Sequence, residues 1–229
     1  MRDMRWEVTG FGAYPQRFTQ AIELIRAMNR PVKIIAGACH NGAEPFTMAM
    51  HLIYAGISDV KVIAHDGHAE HHKAAMRGQY LKSEIDVDFK MERLPEHFRE
   101  YFVPVDDDKR LGIREDVRGL IQFTPGPVLL PGEGIESADV FAIRNLWHHI
   151  QPRNRIFLVG KLRDALPADG VILTRTVHWN EIAETAPKLG THIYGRPFSD
   201  AEQRLARLTL APAFDPLYAE RHAGQGSAP

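Results

Sequence analysis

The sequence predicts an α/β protein: a doubly wound, mainly parallel sheet with a small antiparallel β insertion. Three observations carry this. Two short β-branched apolar runs, 32–38 and 59–66, flank a segment whose apolar residues recur at helical spacing, which is the βαβ arrangement of parallel strands. Residues 80–120 break that rhythm with three short candidate strands around a charged turn. From residue 138 the strand–helix alternation resumes.

The elements follow in order. Residues 1–30 read as an N-terminal helical segment, 31–211 as one sheet-based domain and 212–229, ending AGQGSAP, as a disordered tail. The run 32–38 ends in small residues and reads as a buried strand. Gly42, Glu44 and Pro45 suit a turn into a helix, along which Phe46, Ala49, Met50 and Ile53 form the apolar face. The second strand ends in an acid, Asp66, and residues 68–80 have helical composition. The candidate strands of the insertion are 87–91, 101–105 and 110–113, with DDDKR between the last two; residues 120–123 return to the main sheet. A Pro/Gly-rich loop, TPGPVLLPGEG, is longer than most connections. Residues 138–143 read as a strand, and Ile156, Val159, Leu162 and Leu166 mark a helix. PADGVILTRT reads as a loop and strand, GTHIYGRP as a further strand.

Composition narrows the class. The 28 Lys and Arg against 29 Asp and Glu leave a net charge of −1, which offers no bulk attraction for nucleic acid. No apolar run approaches the ~20 residues of a membrane span, and the N-terminus lacks a secretory pattern. A single cysteine, Cys39, excludes an internal disulfide and a cysteine-rich zinc site. A cytoplasmic protein is the expectation, with its oligomeric state open.

Ligands of open parallel sheets bind at the carboxyl ends of the strands. Those ends carry the loop 36–44, Asp66, the turn at Arg144 and Asn145, and the segment 176–180. Gly37, Ala38 and Gly42 let a ligand approach the backbone closely. A carboxylate after the second strand can accept hydrogen bonds from a ribose diol, although Asp66 also reads as a plain strand-end cap. Neither a G-x-G-x-x-G nor a G-x-x-x-x-G-K-[ST] pattern is present, which disfavours a dinucleotide or a P-loop nucleotide. His65, His68, His71 and His72 cluster, but without an H-E-x-x-H motif no metal is expected.

These residues carry a family resemblance. AGACHNGAEPFTMAM resembles the cofactor loop of the chemotaxis-receptor methyltransferase (CheR) family, a Rossmann-like branch of the class I enzymes that use S-adenosylmethionine (SAM). VIAHDGHAEHHKAAMRGQY, LPEHFREYF, ADVFAIRNLWHHI and PADGVILTRTVHWNEI resemble further blocks of that family, in its order. The resemblance implies a cofactor set of Arg17, Gly37, Ala38, Asn41, Gly42, Glu44, Asp66, Gly67, Asn145 and Leu146. Glu44 would lie near the SAM ammonium, Asp66 at the ribose and Asn145 at the methionine part. Glu44 also reads as an acid at a helix N-terminus, and Asn145 as a helix cap.

The acceptor side departs from the family. His149 stands where the family has a tyrosine after R-N, His178 to Asn180 replace H-S-E, Ala13 replaces a threonine and Pro127 an asparagine. His149 and His178 are candidate proton acceptors. Tyr14 and Trp179, with Trp147 and Phe18, could face the sulfonium. The cofactor loop begins so early that little room is left for the family's N-terminal helical domain. The expectation is a SAM-dependent methyltransferase acting on a small molecule. One alternative is a cyclase or lyase that turns SAM on itself, releasing methylthioadenosine and a cyclic amino acid such as azetidine-2-carboxylate. Another is a non-catalytic SAM-binding or protein-docking module.

Overall fold

A computed structural model of the chain describes residues 11, 15–106, 109–126, 136–143, 161–162, 164–167 and 169–173. Its elements run α1 (Pro15–Met28), β1 (Val32–Gly37), α2 (Ala43–Tyr54), β2 (Val60–Asp66), α3 (Ala69–Arg77), β3 (Gln79–Leu81) and α4 (Lys82–Lys90). A 3-10 turn (Glu96–Tyr101), β4 (Phe102–Val105), β5 (Arg110–Ile113), α5 (Glu115–Gly119), β6 (Ile121–Pro125), β7 (Val140–Ala142) and β8 (Val171–Leu173) follow.

Five strands form a parallel sheet in the order β6-β2-β1-β7-β8. The inner strands β1, β2 and β7 are largely buried on both faces, as parallel strands covered from both sides are. Val62, Val140 and Ile34 are fully buried. The strand order reverses beside β1: β2 and β6 lie on one side, β7 and β8 on the other, so the crevice favoured for ligands opens at the carboxyl end of β1. The opposite end is tied by Asp139. Its carboxylate accepts from the Lys33 N–H at 2.7 Å and from Arg30, while its backbone carbonyl accepts from the Val171 N–H at 2.8 Å.

The insertion is the expected small antiparallel sheet, in the order β3-β5-β4. The strands expected at 101–105 and 110–113 are present, but 87–91 is not a strand. Val87, Phe89 and Met91 alternate as in a strand, yet the residues that bury are Ile85, Asp88 and Phe89, at helical spacing, while Val87 and Met91 are exposed. Burial, rather than alternation, decides α4. The third strand comes from Gln79–Leu81, at the end of the stretch read as helical. α3 stops at Arg77 because Gly78 takes the left-handed conformation (φ 57°) and its N–H closes on Ala74 and Ala75 carbonyls.

Two apolar clusters meet at α2. Met48 and Leu52 join the core of the main sheet with Phe18, Ile22 and Ile25 of α1. Phe46, Ala49 and Met50 join a second core with Tyr80, Ile85, Phe98, Phe102 and Ile113 under the small sheet. Residues 161–162 and 164–165 are helical and bury Leu162, as expected; Ile156, Val159 and the segment GTHIYGRP lie outside the described residues. No helix among the described residues is long and apolar enough to cross a membrane.

Candidate functional site

The site grows from the loop between β1 and α2. Three of its residues are left-handed: Ala38 (φ 57°), His40 (φ 49°) and Gly42 (φ 86°). Only glycine adopts this without strain, so Ala38 and His40 each store about 1 kcal/mol. Such strain persists where the surroundings over-determine it, and four hydrogen bonds do so here. The Cys39 N–H donates to the His65 carbonyl at 3.0 Å and the Gly42 N–H to the Cys39 carbonyl at 2.9 Å. The Tyr80 hydroxyl donates to the Asn41 carbonyl at 2.7 Å, and the His40 N–H to Asp66 Oδ2 at 2.7 Å. Asn41 Oδ1 in turn accepts from the Ala43 N–H at 3.2 Å in the first turn of α2.

Asp66 closes the neighbouring loop as well. Its Oδ1 accepts from the His68 N–H at 2.8 Å and lies 3.2 Å from His71 Nδ1. Asp66 is buried at the end of β2, and its carbonyl accepts from the Gly126 N–H after β6. One carboxylate therefore gathers the loops after β1 and β2. The His71 ring lies 4.0 Å from that of His40 and 4.9 Å from that of His68. Burial, and then the nearby His71, lower the His40 pKa. Burial pushes the Cys39 thiol up to about 12, so it is no nucleophile at neutral pH.

The structure thus brings together Gly37, Ala38, Asn41, Gly42, Asp66 and Gly67 at one end of β1 and β2. Glu44 stands in the first turn of α2. Arg17 lies in α1, and its side chain is outside the described residues, as are Tyr14, Asn145, Leu146, His149, His178 and Trp179. Tyr80, His40 and His71 are the additions. In the sequence Tyr80 is the last residue of the block ending M-R-G-Q-Y, and His71 belongs to the histidine cluster. Among the described residues no group of three or more His, Cys, Asp or Glu is placed to hold a metal ion.

With this geometry in view, the class is that of a nucleoside-cofactor domain built on a Rossmann-like sheet. The chain belongs to the CheR methyltransferase family: the model of that family's SAM-binding domain matches residues 6–175. A chemotaxis protein methyltransferase of Vibrio anguillarum is 23% identical over 155 residues, covering 65% of this chain and 54% of the relative. The chain spans about half the length of that curated relative. A solved TehB-like SAM-dependent methyltransferase from Corynebacterium glutamicum is 14% identical, covering 82% of this chain and 90% of that one, with a TM-score of 0.42. A SAM-dependent methyltransferase from Geobacter sulfurreducens, solved with S-adenosylhomocysteine, is 12% identical over 74% of this chain and 51% of its own, with a TM-score of 0.40. The cofactor and enzyme class expected from the sequence, SAM and SAM-dependent methyltransferase, are those of the matched family.

Proposed function

We propose that this chain transfers the methyl group of SAM to a small-molecule acceptor. The observation that carries the reading is the curled loop 37–42, pinned at the carboxyl edge of the sheet inside the region matched by the SAM-binding family. Its residues fit the cofactor. Gly37 and Ala38 offer backbone with little side chain, the Glu44 carboxylate suits an ammonium, and the Asp66–His71 pair offers acceptors for ribose hydroxyls. SAM when bound supplies a methyl group activated by the adjacent sulfonium.

The protein's part is to align the reactants and exclude water. The family resemblance would add Asn145, Leu146 and Arg17 to the cofactor set. On the family resemblance Tyr14 and Trp179 would be the aromatic groups offered to the sulfonium, and His149 or His178 the group to take a proton from the acceptor. The small-molecule acceptor is supported by the departures at Ala13, His149 and His178–Asn180, and by a net charge of −1 that provides no field for a charged macromolecule.

A second reading has an observation of its own. Among the described residues β3 and β4 are the unpaired edges of the small sheet, with Leu81 and Val103 exposed, and an open edge can take up an extended peptide. The acceptor would then be a protein side chain.

Two measurements decide. Calorimetric titration with SAM and with S-adenosylhomocysteine should show binding of both; binding of neither sinks the proposal. Incubation with methyl-labelled SAM and a lysate, split into metabolites and protein, should place the label in the small-molecule fraction. Label in protein supports the second reading. Methylthioadenosine formed from SAM alone points to the cyclase or lyase.

A further inference from the structure

Phe11 lies before α1 and outside any helix or strand, yet it is buried in the core of the insertion. It shares the second apolar cluster with Tyr80, Ile85, Phe89 and Phe102. Its ring stands edge-on to Tyr80 at 4.6 Å and to Phe102 at 5.2 Å.

Asp88 holds it there. The Phe11 N–H donates to Asp88 Oδ2 at 2.9 Å, and Arg93 Nη1 donates to Oδ1 at 3.0 Å. The Asp88 side chain is 7% exposed, on the face of α4 that also buries Ile85 and Phe89. An apolar side chain would fill that place without the cost of desolvating a charge. Arg93 does not require the carboxylate, because its own side chain is 39% exposed and reaches water. The Phe11 N–H does require it. That group is buried, and among the described residues it has no other acceptor.

Tyr80 carries the anchor to the cofactor loop. Its hydroxyl donates to the Asn41 carbonyl at 2.7 Å, and its strand, β3, pairs only with β5 among the described residues. Phe11 closes one side of the Tyr80 ring. Its loss would leave a void beside that ring, into which the ring can turn and carry the hydroxyl off the Asn41 carbonyl. We propose that Phe11 and Asp88 are positioning residues for cofactor binding: Asp88 fixes Phe11, Phe11 fixes the Tyr80 ring, and Tyr80 fixes the loop after β1. The inference rests on the SAM-binding reading above. It makes a residue of the segment before α1 a determinant of cofactor affinity through contacts that run by way of the insertion.

The test is calorimetric titration of the full chain and its variants with S-adenosylhomocysteine, paired with thermal melting. Phe11→Ala should weaken binding about fivefold, the worth of the one hydrogen bond that Tyr80 makes. In a Tyr80→Phe background the same change should cost no further affinity, while still lowering the melting temperature. Asp88→Ala should weaken binding as Phe11→Ala does. Asp88→Asn keeps an acceptor for the Phe11 N–H and should bind near the wild type, although both Asp88 variants lose the ion pair to Arg93 and melt earlier. Where Phe11→Ala does not fold, Phe11→Leu, which fills most of the space without the ring edge, takes its place in the cycle. Wild-type affinity in either the Phe11 variant or Asp88→Ala overturns the inference. A Phe11 effect that persists in the Tyr80→Phe background also overturns it, as do equal losses of affinity from the two Asp88 variants. A wild type that binds no S-adenosylhomocysteine at all overturns the SAM reading itself, and the first titration separates the two failures.

Discussion

The Tyr80 hydroxyl donates to the Asn41 carbonyl at 2.7 Å, joining the small antiparallel sheet to the strained loop after β1. The ring behind that hydroxyl is fixed by edge contacts with Phe11 at 4.6 Å and Phe46 at 6.4 Å. The insertion therefore bears on the cofactor loop through one side chain. Tyr80→Phe keeps the ring and removes the bond. It should cost about 1 kcal/mol of stability and weaken S-adenosylhomocysteine several-fold. Urea denaturation paired with calorimetry checks both, and unchanged affinity would show that the loop holds itself.

Gly42 tests the loop from its other side. A Cβ there would meet the Ala75 Cβ and the Phe46 ring at 3.1 Å, in a left-handed backbone. Gly42→Ala should destabilise by about 2–3 kcal/mol, from conformation and from crowding together. Gly56 is also left-handed but has nothing within 4 Å of its Cβ position. Gly56→Ala should cost only about 1 kcal/mol. The difference between the two, read from denaturant midpoints, isolates the crowding.

His51 sets an acid limit on the fold. It is buried on α2, stacked at 5.4 Å on Phe18 and edge-on to Phe98 at 4.7 Å. Burial, and then the nearby His97, lower its pKa from 6.5 to about 4. The unfolded chain thus takes up a proton near pH 6.5 that the folded chain refuses until about 4. Its contribution is complete above pH 6.5 and declines as the pH falls towards 4, by up to about 3 kcal/mol. His40 and His65, also lowered mainly by burial, act in the same direction. Stability measured across this range should fall with acid, and His51→Met should flatten the slope.

Asp139 does at the amino end of the sheet what Asp66 does at the carboxyl end. Asp139→Ala leaves the Lys33 N–H without its acceptor and removes one of the two carboxylates on Arg30, which keeps Asp169, for an expected loss of about 2–3 kcal/mol. Arg30→Ala should cost about 1 kcal/mol or less, because its ion pairs lie at the surface, where water screens them. Equal losses from the two variants would show that the ion pair, rather than the backbone contact, holds β1 to β7.

Much of this protein is decided by residues close together in sequence. The apolar runs of β1 and β2, the helical spacing of Phe46, Ala49, Met50 and Ile53, and the turn at Gly42 yield a βαβ unit from local pattern alone. So does the placing of a small-residue loop and an acid at strand ends. The same local reading mistook Val87–Phe89–Met91 for a strand, because alternation and helical spacing coincide over so short a run. The choice fell to which side chains the second core could bury. Pairings distant in sequence were decided only by the tertiary structure. Asp66 lies 26 residues from His40, and Tyr80 lies 39 from Asn41. A sequence shows that an acid stands at a strand end, but not how many of its lone pairs the folded chain already occupies. That count depends on backbone N–H groups delivered by separate loops, those of His40 and His68.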